Sequence, residues 1–254
     1  MRSSTQREIT ESDTMLEGVN ALFYTSDLSS NECVIEGQEV KHITKVLRKQ
    51  EGDSIFLTDG KGNIAQATIH KVGKQQLALE PKAVTKVPRI EPQVTLAFSV
   101  LKQPSRMEWM VEKATEFGVR AFQPLLSAHC IRSQFNAKRL ESVALSAMKQ
   151  SLQCYCPEIY PIQSFDSFVK DTSDSIRLMA YTPERIKTLQ STWPALSGAK
   201  KITAIVGPEG GFSNEEARLA SDSGFSWVSL GPNRLRAESA SLAIIQQINV
   251  FSKL

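Results

Sequence analysis

The 254-residue sequence contains no long apolar run, and its first twenty residues lack the apolar stretch of a secretory signal peptide. A membrane-spanning helix needs about 18 or more such residues, so none is expected, and we expect the protein in the cytoplasm. An excess of charge of one sign is also missing, because 30 Lys and Arg are balanced by 27 Asp and Glu, for a net charge of +3. So mild a balance permits a nucleic-acid partner without requiring one.

Cysteine and histidine are few, and their spacing matches no familiar metal site. The candidates are Cys33, Cys130, Cys154, Cys156, His42, His70 and His129. Zinc sites usually pair two C-x₂₋₄-C units, whereas this chain has one short Cys154-x-Cys156. His129-Cys130, about 25 residues earlier, would have to supply the other ligands. We therefore predict reduced, structural thiols, with no disulfide framework and no bound metal.

The two best-known phosphate-binding loops are absent, since the sequence has neither G-x-G-x-x-G nor a Gly-Lys-Ser/Thr ending. Its last quarter has two other glycine-bearing loops instead. The β-branched run Lys201–Val206 predicts a buried parallel strand and leads into Gly207-Pro-Glu-Gly-Gly-Phe212. A turn of this composition lets its backbone approach a ligand closely. Phe225–Leu230 predicts a second strand, which ends in the loop Gly231–Arg236.

A helix is predicted after each loop. Ser213 and Glu216 form a capping box, so one helix should begin there and end near Gly224. The final helix should bury one face made of Ala240, Ala243, Ile244, Ile248 and Phe251. We expect the two loops to face each other at the carboxyl ends of neighbouring parallel strands, where open α/β sheets bind ligands.

The part of the chain before residue 93 has a different pattern. Residues 1–18 are polar and predict a disordered extension, or an overlong start ahead of Met15. Short strands at 22–24, 54–58, 64–70 and 75–80 suggest a small β-barrel, with an amphipathic helix over Gln38–Arg48. Three prolines between residues 81 and 92 predict a domain linker.

Strands alternate with helices from Val94 onward, which predicts a parallel sheet. Ser105 and Glu108 indicate another capping box at the start of the first of these helices. Its buried face should hold Met107, Met110, Val111, Ala114 and Phe117, with Trp109 also assigned to the core.

The paired loops resemble those of the SPOUT class of S-adenosylmethionine (SAM) methyltransferases, and more narrowly the RsmE-type enzymes that methylate N3 of a uridine in 16S ribosomal RNA. The resemblance rests on Gly207–Phe212, followed at the family's spacing by Leu230-Gly231, Leu235-Arg236 and Glu238-Ser239-Ala240. Lys41–Arg48, Gly52-Asp53 and Asp59–Gly62 are similar to the family's PUA-like barrel, and Lys102–Val119 and Ala147–Ser151 to its second domain. The similarity covers nearly everything after residue 20.

This resemblance implies an α/β fold of the SPOUT α/β-knot kind, a parallel sheet with a C-terminal trefoil knot, preceded by a small PUA-like β-barrel. The implied domains are a disordered extension (1–20), the RNA-binding barrel (21–86) and the methyltransferase domain (87–254). The implied cofactor is S-adenosylmethionine, and the implied target is uridine 1498 of 16S rRNA. The partners are 16S rRNA or the assembled small ribosomal subunit, and a second copy in a homodimer; no membrane or metal is implied.

The resemblance also assigns roles to residues. The cofactor-binding candidates are Tyr181, Gly207, Pro208, Glu209, Gly210, Gly211, Leu230, Gly231 and Leu235. The RNA-binding candidates are Lys41, Lys45, Arg48, Lys102, Arg106 and Gln150. For catalysis we predict that Arg236 stabilises the negative charge that spreads over the O2–N3–O4 edge of uracil, because a guanidinium is always charged. Glu238 would position Arg236 or help take the N3 proton.

Three alternatives remain at this point. Arg236 and Glu238 could form an ion pair that only fixes the loop. The enzyme could be another SPOUT methyltransferase that modifies a ribose 2′-oxygen or a different base. The chain could also be a non-catalytic RNA-binding ribosome factor that has lost SAM.

Overall fold

The computed structural model describes residues 19–174, 176–181 and 196–252. The predicted disordered extension therefore lies almost wholly outside the described residues. Among the described residues, no helix combines the length and the apolar character that crossing a bilayer requires. The chain divides into two compact units, one running to Arg89 with Met148–Tyr155 added, the other comprising Ile90–Ala147 and the rest from Cys156. The predicted domain boundary after residue 86 stays a prediction.

The first unit is built on a six-stranded sheet in the order β1-β3-β4-β5-β2, with β6 beside β4. Its strands are β1 (Leu22–Tyr24), β2 (Cys33–Glu36), β3 (Ser54–Thr58), β4 (Asn63–Val72), β5 (Gln76–Pro81) and β6 (Thr85–Lys86). β1 runs parallel to β3, and the other pairs are antiparallel. Alternate residues of β2 are buried, as expected for a sheet with one face on a core.

The helix predicted over Gln38–Arg48 forms over most of that range, but only half of its predicted apolar face is buried. Helix α1 (Gln38–Lys41) continues directly into a π-helical turn over His42–Val46. Val40 and Ile43 are buried in the core of the first unit, while the basic side chains of this segment point outward. Val46 and Leu47 are 68% and 37% exposed, so only the first two apolar positions of the segment are buried.

Residues 148–155 complete the first unit, although they come much later in the chain. The Gly62 N–H donates to the Cys154 carbonyl at 2.8 Å, and the Tyr155 hydroxyl donates to the Val87 carbonyl at 2.6 Å. The Arg89 guanidinium lies 4.1 Å from the centre of the Tyr155 ring. A Cβ on Gly62 would overlap that ring, so only glycine fits there.

The second unit is a seven-stranded parallel sheet in the order β10-β8-β7-β12-β11-β13, with β9 beside β8. Its strands are β7 (Gln93–Ser99), β8 (Ala121–Leu126), β9 (Glu158–Ile159), β10 (Gln163–Ser164), β11 (Ile176–Ala180), β12 (Lys201–Val206) and β13 (Ser226–Val228). Five consecutive residues of β12 are buried because both faces of the sheet are covered. The parallel sheet predicted from the sequence is confirmed.

Helices cover the two faces of this sheet. Among the described residues they are α2 (Pro104–Glu116), α3 (Ala137–Gln150), α4 (Phe165–Asp171), α5 (Asn214–Asp222) and α6 (Ala237–Phe251). Successive strand residues point to opposite faces, so Ala204 packs with α2, α3 and α6, whereas Ile205 packs with α4 and α5. The loops after the strands are thereby carried on a rigid layer.

Two expectations about the sheet and α2 were wrong. β11 pairs with both β12 and β13, so the two glycine-bearing loops leave strands separated by β11 rather than neighbouring strands. α2 begins at Pro104 with Gln103 as its N-cap and no side-chain capping bond, so the predicted capping box of Ser105 and Glu108 does not form. Proline at the first helical position supplies the helical φ angle that starts this helix.

Some predicted core positions are also wrong. Trp109 is 44% exposed and Phe117 is 39% exposed. Thr115 is buried on α2, although the apolar pattern did not include it. In α6, Ile244 and Ile248 are buried as predicted, but Ala240, Ala243 and Phe251 are only partly buried. Ala237, Ser241 and Ile245 complete the buried stripe, because the helix packs along a face rotated from the one that apolar residues alone suggested.

Candidate functional site

A cleft of about 490 Å³ opens at the carboxyl ends of β11, β12 and β13 in the second unit. This volume lies in the range of small-molecule sites in proteins. Its wall comprises Ala180, Tyr181, Val206, Gly207, Pro208, Glu209, Gly211, Phe212, Val228, Leu230–Leu235, Ala237 and Ala240. Eight of the nine cofactor-binding candidates are in this set; the exception is Gly210, which packs against His129.

The shape of the loop over residues 207–212 depends on glycine at two positions. A Cβ on Gly207 would lie 2.9 Å from the ring of Phe212, which is itself buried against Phe165 at a centroid distance of 5.4 Å. Gly211 has a φ of +73°, in the left-handed region that side chains disfavour. A larger residue at either position would displace the backbone that lines the cleft.

Carboxylates tie this loop to its surroundings. Buried Glu216 accepts hydrogen bonds from the backbone N–H of Ser213 at 2.8 Å and of Ala128 at 2.7 Å. The Ser213 hydroxyl accepts from the Glu216 N–H, so the predicted capping box is confirmed. Glu209 accepts from the Lys102 N–H at 3.2 Å. The loop after β12 is therefore fixed to the loops that follow β8 and β7.

Tyr181 forms the side of the cleft at the end of β11. Its hydroxyl donates to Asn214 Oδ1 at 3.2 Å, and its ring packs edge-on against Trp227 at a centroid distance of 5.2 Å. The Trp227 indole N–H donates in turn to the Ala217 carbonyl at 3.1 Å. These contacts hold the tyrosine ring in one orientation at the cleft wall.

The loop after β13 forms the opposite side and is more exposed. The Leu230 carbonyl accepts a hydrogen bond from the Gln247 side chain at 3.2 Å, which anchors the loop to α6. Leu235 lines the cleft yet is 40% exposed. An apolar side chain in this position offers surface that a bound ring would cover.

The two catalytic candidates are placed differently from each other. Arg236 is exposed at the N-cap of α6, whereas Glu238 is buried with its Oε1 3.7 Å from Arg106 Nε. The other Glu238 oxygen has no hydrogen-bond partner among the described residues. Residues two apart at a helix start do not face each other, so Glu238 pairs with Arg106 rather than with Arg236. Neither Arg236 nor Glu238 belongs to the cleft wall.

The RNA-binding candidates fall into two groups. Lys41, Lys45 and Arg48 are exposed on the α1 segment of the first unit, and Gln150 is exposed at the end of α3 in the same unit. An ion pair between Lys149 and Glu39 ties that end of α3 to α1. Lys102 and Arg106 belong to the second unit, where Lys102 is exposed and Arg106 faces Glu238.

His129 contacts the loop that lines the cleft, a role that the sequence did not indicate. Its Nδ1 lies 3.0 Å from the Gly211 carbonyl oxygen. His129 belongs to no sequence motif. The available signal was its position shortly after the predicted strand Val119–Leu125, because parallel strands end at the edge of the sheet where ligands bind.

Cys154 and Cys156 are poorly suited to metal binding. Burial raises the pKa of both Cys154 and Cys156 to about 11, which keeps these thiols protonated at neutral pH. Metals bind the thiolate form. Among the described residues, no three His, Cys, Asp or Glu side chains are grouped so as to hold a metal ion.

An open parallel sheet with a loop-walled cleft at its carboxyl edge, accompanied by a small β unit, defines a ligand-binding α/β protein. Residues 89–249 match a family model described as an RNA methyltransferase domain, and residues 35–82 match one described as an RNA methyltransferase PUA domain. The chain belongs to this RNA methyltransferase family.

Relatives and solved structures agree with this assignment. The chain is 31% identical to "Ribosomal RNA small subunit methyltransferase E" of Rickettsia conorii over 91% of this chain and 96% of the relative. A probable rRNA methyltransferase from Porphyromonas gingivalis has a TM-score of 0.83 at 34% identity, covering 92% and 98% of the two chains. A methyltransferase E from Neisseria gonorrhoeae, solved bound to S-adenosyl methionine, has a TM-score of 0.77 at 30% identity, covering 91% and 97%.

Proposed function

We propose that this protein transfers the methyl group of S-adenosylmethionine to N3 of uridine 1498 in 16S rRNA. The observation that carries the proposal is the cleft of about 490 Å³ between the loops after β12 and β13. Support comes from the family match and from the SAM-bound Neisseria gonorrhoeae relative.

The sulfonium of SAM already activates the methyl group, so the protein has to bind the cofactor, exclude water and align the acceptor nitrogen. Gly207, Pro208, Glu209 and Gly211 would present backbone groups to the adenosine from one side. Tyr181, Leu230, Gly231 and Leu235 would enclose it from the others. Gly210 would act indirectly, by letting the loop pack closely on His129.

The acceptor base has to be unpaired before N3 can react, because that nitrogen is blocked in a base pair. As the N3 proton leaves, negative charge develops on the uracil edge. Arg236 is exposed next to Leu235 in the cleft wall, and its guanidinium would stabilise this charge. Glu238 would be a positioning residue that holds Arg106, since its buried carboxylate lies 3.7 Å from that guanidinium.

The remaining parts of the proposal concern the assembly. We infer a C-terminal trefoil knot, closure of the first unit into a PUA-like barrel, and a homodimer whose partner helps to bind the RNA. Lys41, Lys45, Arg48, Lys102 and Gln150 would contact RNA, and the substrate would be 16S rRNA or the assembled small subunit in the cytoplasm. The TM-score of 0.83 to a relative covering 92% of this chain supports a shared architecture. Sedimentation equilibrium would test the dimer.

Two measurements test the reaction. Calorimetry with SAM alone should detect binding; no heat and no thermal stabilisation would favour a non-catalytic RNA-binding factor. Nucleoside analysis of rRNA from cells with and without the gene should show loss of 3-methyluridine at one position. Loss of a 2′-O-methylated nucleoside instead would favour the other SPOUT activity.

The role of Arg236 needs its own variant. Arg236→Ala should retain SAM affinity while turnover falls by roughly 100-fold or more, as for removal of a group that stabilises developing charge. Lys201→Ala is the control, because it removes one exposed positive charge at the amino end of β12. Undiminished turnover in Arg236→Ala would remove this residue from the mechanism.

A further inference from the structure

The loop after β8, residues 127–136, is attached to the cleft loop but takes no part in the cleft wall. The Ala128 N–H donates to Glu216 Oε1 at 2.7 Å, and His129 Nδ1 lies 3.0 Å from the Gly211 carbonyl oxygen. A carbonyl only accepts hydrogen bonds, so His129 has to carry a proton on Nδ1. Gly210 packs against the same histidine, since a Cβ there would lie 3.0 Å from His129 Cβ.

Hydrogen bonds of Ser127 also fix the start of this loop. The Ser127 and Ser99 hydroxyls are hydrogen-bonded at 2.8 Å, and the Cys130 N–H donates to the Ser127 carbonyl at 3.0 Å. Residues 131–134 are exposed, with Ile131 at 68%, whereas Phe135 packs against the core of the second unit. The loop therefore has a rigid base and a tip that presents side chains at the carboxyl edge of the sheet.

Arg132 is at this tip and differs from two other arginines of the second unit. Arg139 donates through Nε and Nη2 to Glu108 at 3.0 and 2.8 Å, and Arg106 faces Glu238. Arg132 is exposed, and among the described residues no carboxylate or carbonyl binds its guanidinium. Three residues span at most about 11 Å, so Arg132 lies close to His129 and hence to Gly211.

We propose that Arg132 binds a phosphate of the substrate RNA beside the reacting uridine, and that His129 is the positioning residue that holds its loop against the cleft. The proposal rests on the RNA methyltransferase function proposed above. Guanidinium groups bind phosphate oxygens through two parallel hydrogen bonds, and an unneutralised arginine gains most from such an anion. Phosphate contacts fix the register of a nucleic acid without reading its sequence.

The test uses the full-length chain with 16S rRNA or small subunits from cells that lack the gene. Arg132→Gln should raise the KM for RNA roughly tenfold, as expected for one charged hydrogen-bonded contact. The value of kcat at saturating RNA and the Kd for SAM should stay within about twofold of wild type. The slope of log Kobs for RNA against log salt should fall by about 0.7 to 0.9. Lys201→Gln, at the opposite edge of the sheet, should change none of these values.

A second pair of variants tests the anchoring by His129. His129→Ala keeps Arg132 but removes the contact to Gly211, so it should also raise the KM for RNA. His129→Asn should restore much of the affinity, because its amide N–H can donate to the same carbonyl. Rescue by Asn would distinguish positioning from a general loss of structure.

The outcomes separate this proposal from the proposed function. Wild-type KM and salt slope in Arg132→Gln would overturn the phosphate contact while leaving the methyltransferase intact. A fall in kcat at unchanged KM would overturn it as well, because Arg132 would then act in the chemical step. If the wild type fails to methylate RNA, the proposed function fails, and filter binding of RNA to the same variants still decides whether Arg132 contacts a phosphate.

Discussion

Glycine at position 207 links the packing of the second unit directly to its cleft. The backbone passes so close to the Phe212 ring that no side chain fits between them. Phe212 cannot retreat, because it packs against Phe165 in the core on that side of the sheet. The packing of Phe212 on Phe165 therefore requires glycine at position 207 in the cleft wall.

We expect Gly207→Ala to weaken SAM binding at least tenfold and to lower stability by about 1–3 kcal/mol, since the added methyl group overpacks the site. Calorimetry and urea unfolding measure the two effects. Gly207→Ala combined with Phe212→Leu should recover part of the SAM affinity, because the smaller side chain makes room for the methyl group. Wild-type SAM affinity in the single variant would contradict the close packing.

The cysteines give a second prediction at this scale. Burial raises the pKa of Cys154 and of Cys156 to about 11, from an ordinary 9.0. Only the thiolate reacts with iodoacetamide, so at pH 8 both residues should be alkylated roughly 100-fold more slowly in the folded protein than in denaturant. Peptide mass spectrometry would show this, and equal rates in the two states would contradict it.

The same shift has a consequence for stability. The folded state holds these two thiol protons more tightly than the unfolded state does. Their contribution to the free energy of unfolding is therefore fully present below pH 9 and is lost as pH rises through 11. The urea midpoint should therefore fall between pH 9 and 11. Replacement of both cysteines by alanine should flatten that fall.

Among the elements, β12, its loop and α5 form the part of the fold that the sequence predicts best. The apolar run, the glycines and the capping box of Ser213 and Glu216 lie in consecutive residues, so local rules suffice to place them. The same rules failed for α2, where Pro104 starts the helix before the expected cap. They also could not show that Glu216 holds the Ala128 N–H, which is 88 residues away in the chain.

The double role of Glu216 predicts an effect on stability. Glu216→Gln replaces one acceptor oxygen by an N–H₂ group, so either the Ser213 or the Ala128 N–H loses its partner. We expect a loss of about 1–3 kcal/mol in urea unfolding, as for an unsatisfied buried donor. Glu215→Gln is the matched control, because it removes the same charge from the exposed side of the same helical turn. A similar loss in both variants would indicate a charge effect instead.

For the whole molecule, alternation of strands and helices predicted the parallel sheet, but not the order of its strands. β11 lies between β12 and β13 because pairing in a sheet is decided by long-range packing, which adjacent sequence does not encode. The ion pair of Glu238 with Arg106 was missed for the same reason, since it joins α6 to α2. Residues 148–155 were likewise not expected to belong with the first unit.

Tyr155 should be important for the stability of the first unit. Its ring packs against Gly62 and under Arg89, and its hydroxyl donates to the Val87 carbonyl. Tyr155→Ala should cost about 3–5 kcal/mol, as for loss of a large packed ring, whereas Tyr155→Phe should cost about 1 kcal/mol for the hydrogen bond. Hydrogen exchange should show the loss in β3 and β4. Unchanged protection of these strands in Tyr155→Ala would contradict a supporting role.

The later segment of the first unit also limits how genes for such proteins can recombine. Between the described units the chain passes at Arg89–Ile90, Ala147–Met148 and Tyr155–Cys156. A chimaera that receives a foreign copy of residues 19–89 keeps the host's Tyr155, which then meets a hairpin that did not evolve with it. Transplanting this unit between relatives therefore requires two separate pieces of sequence. A single crossover in the proline-rich linker would leave the transplanted unit without the tyrosine that packs against it in its own protein.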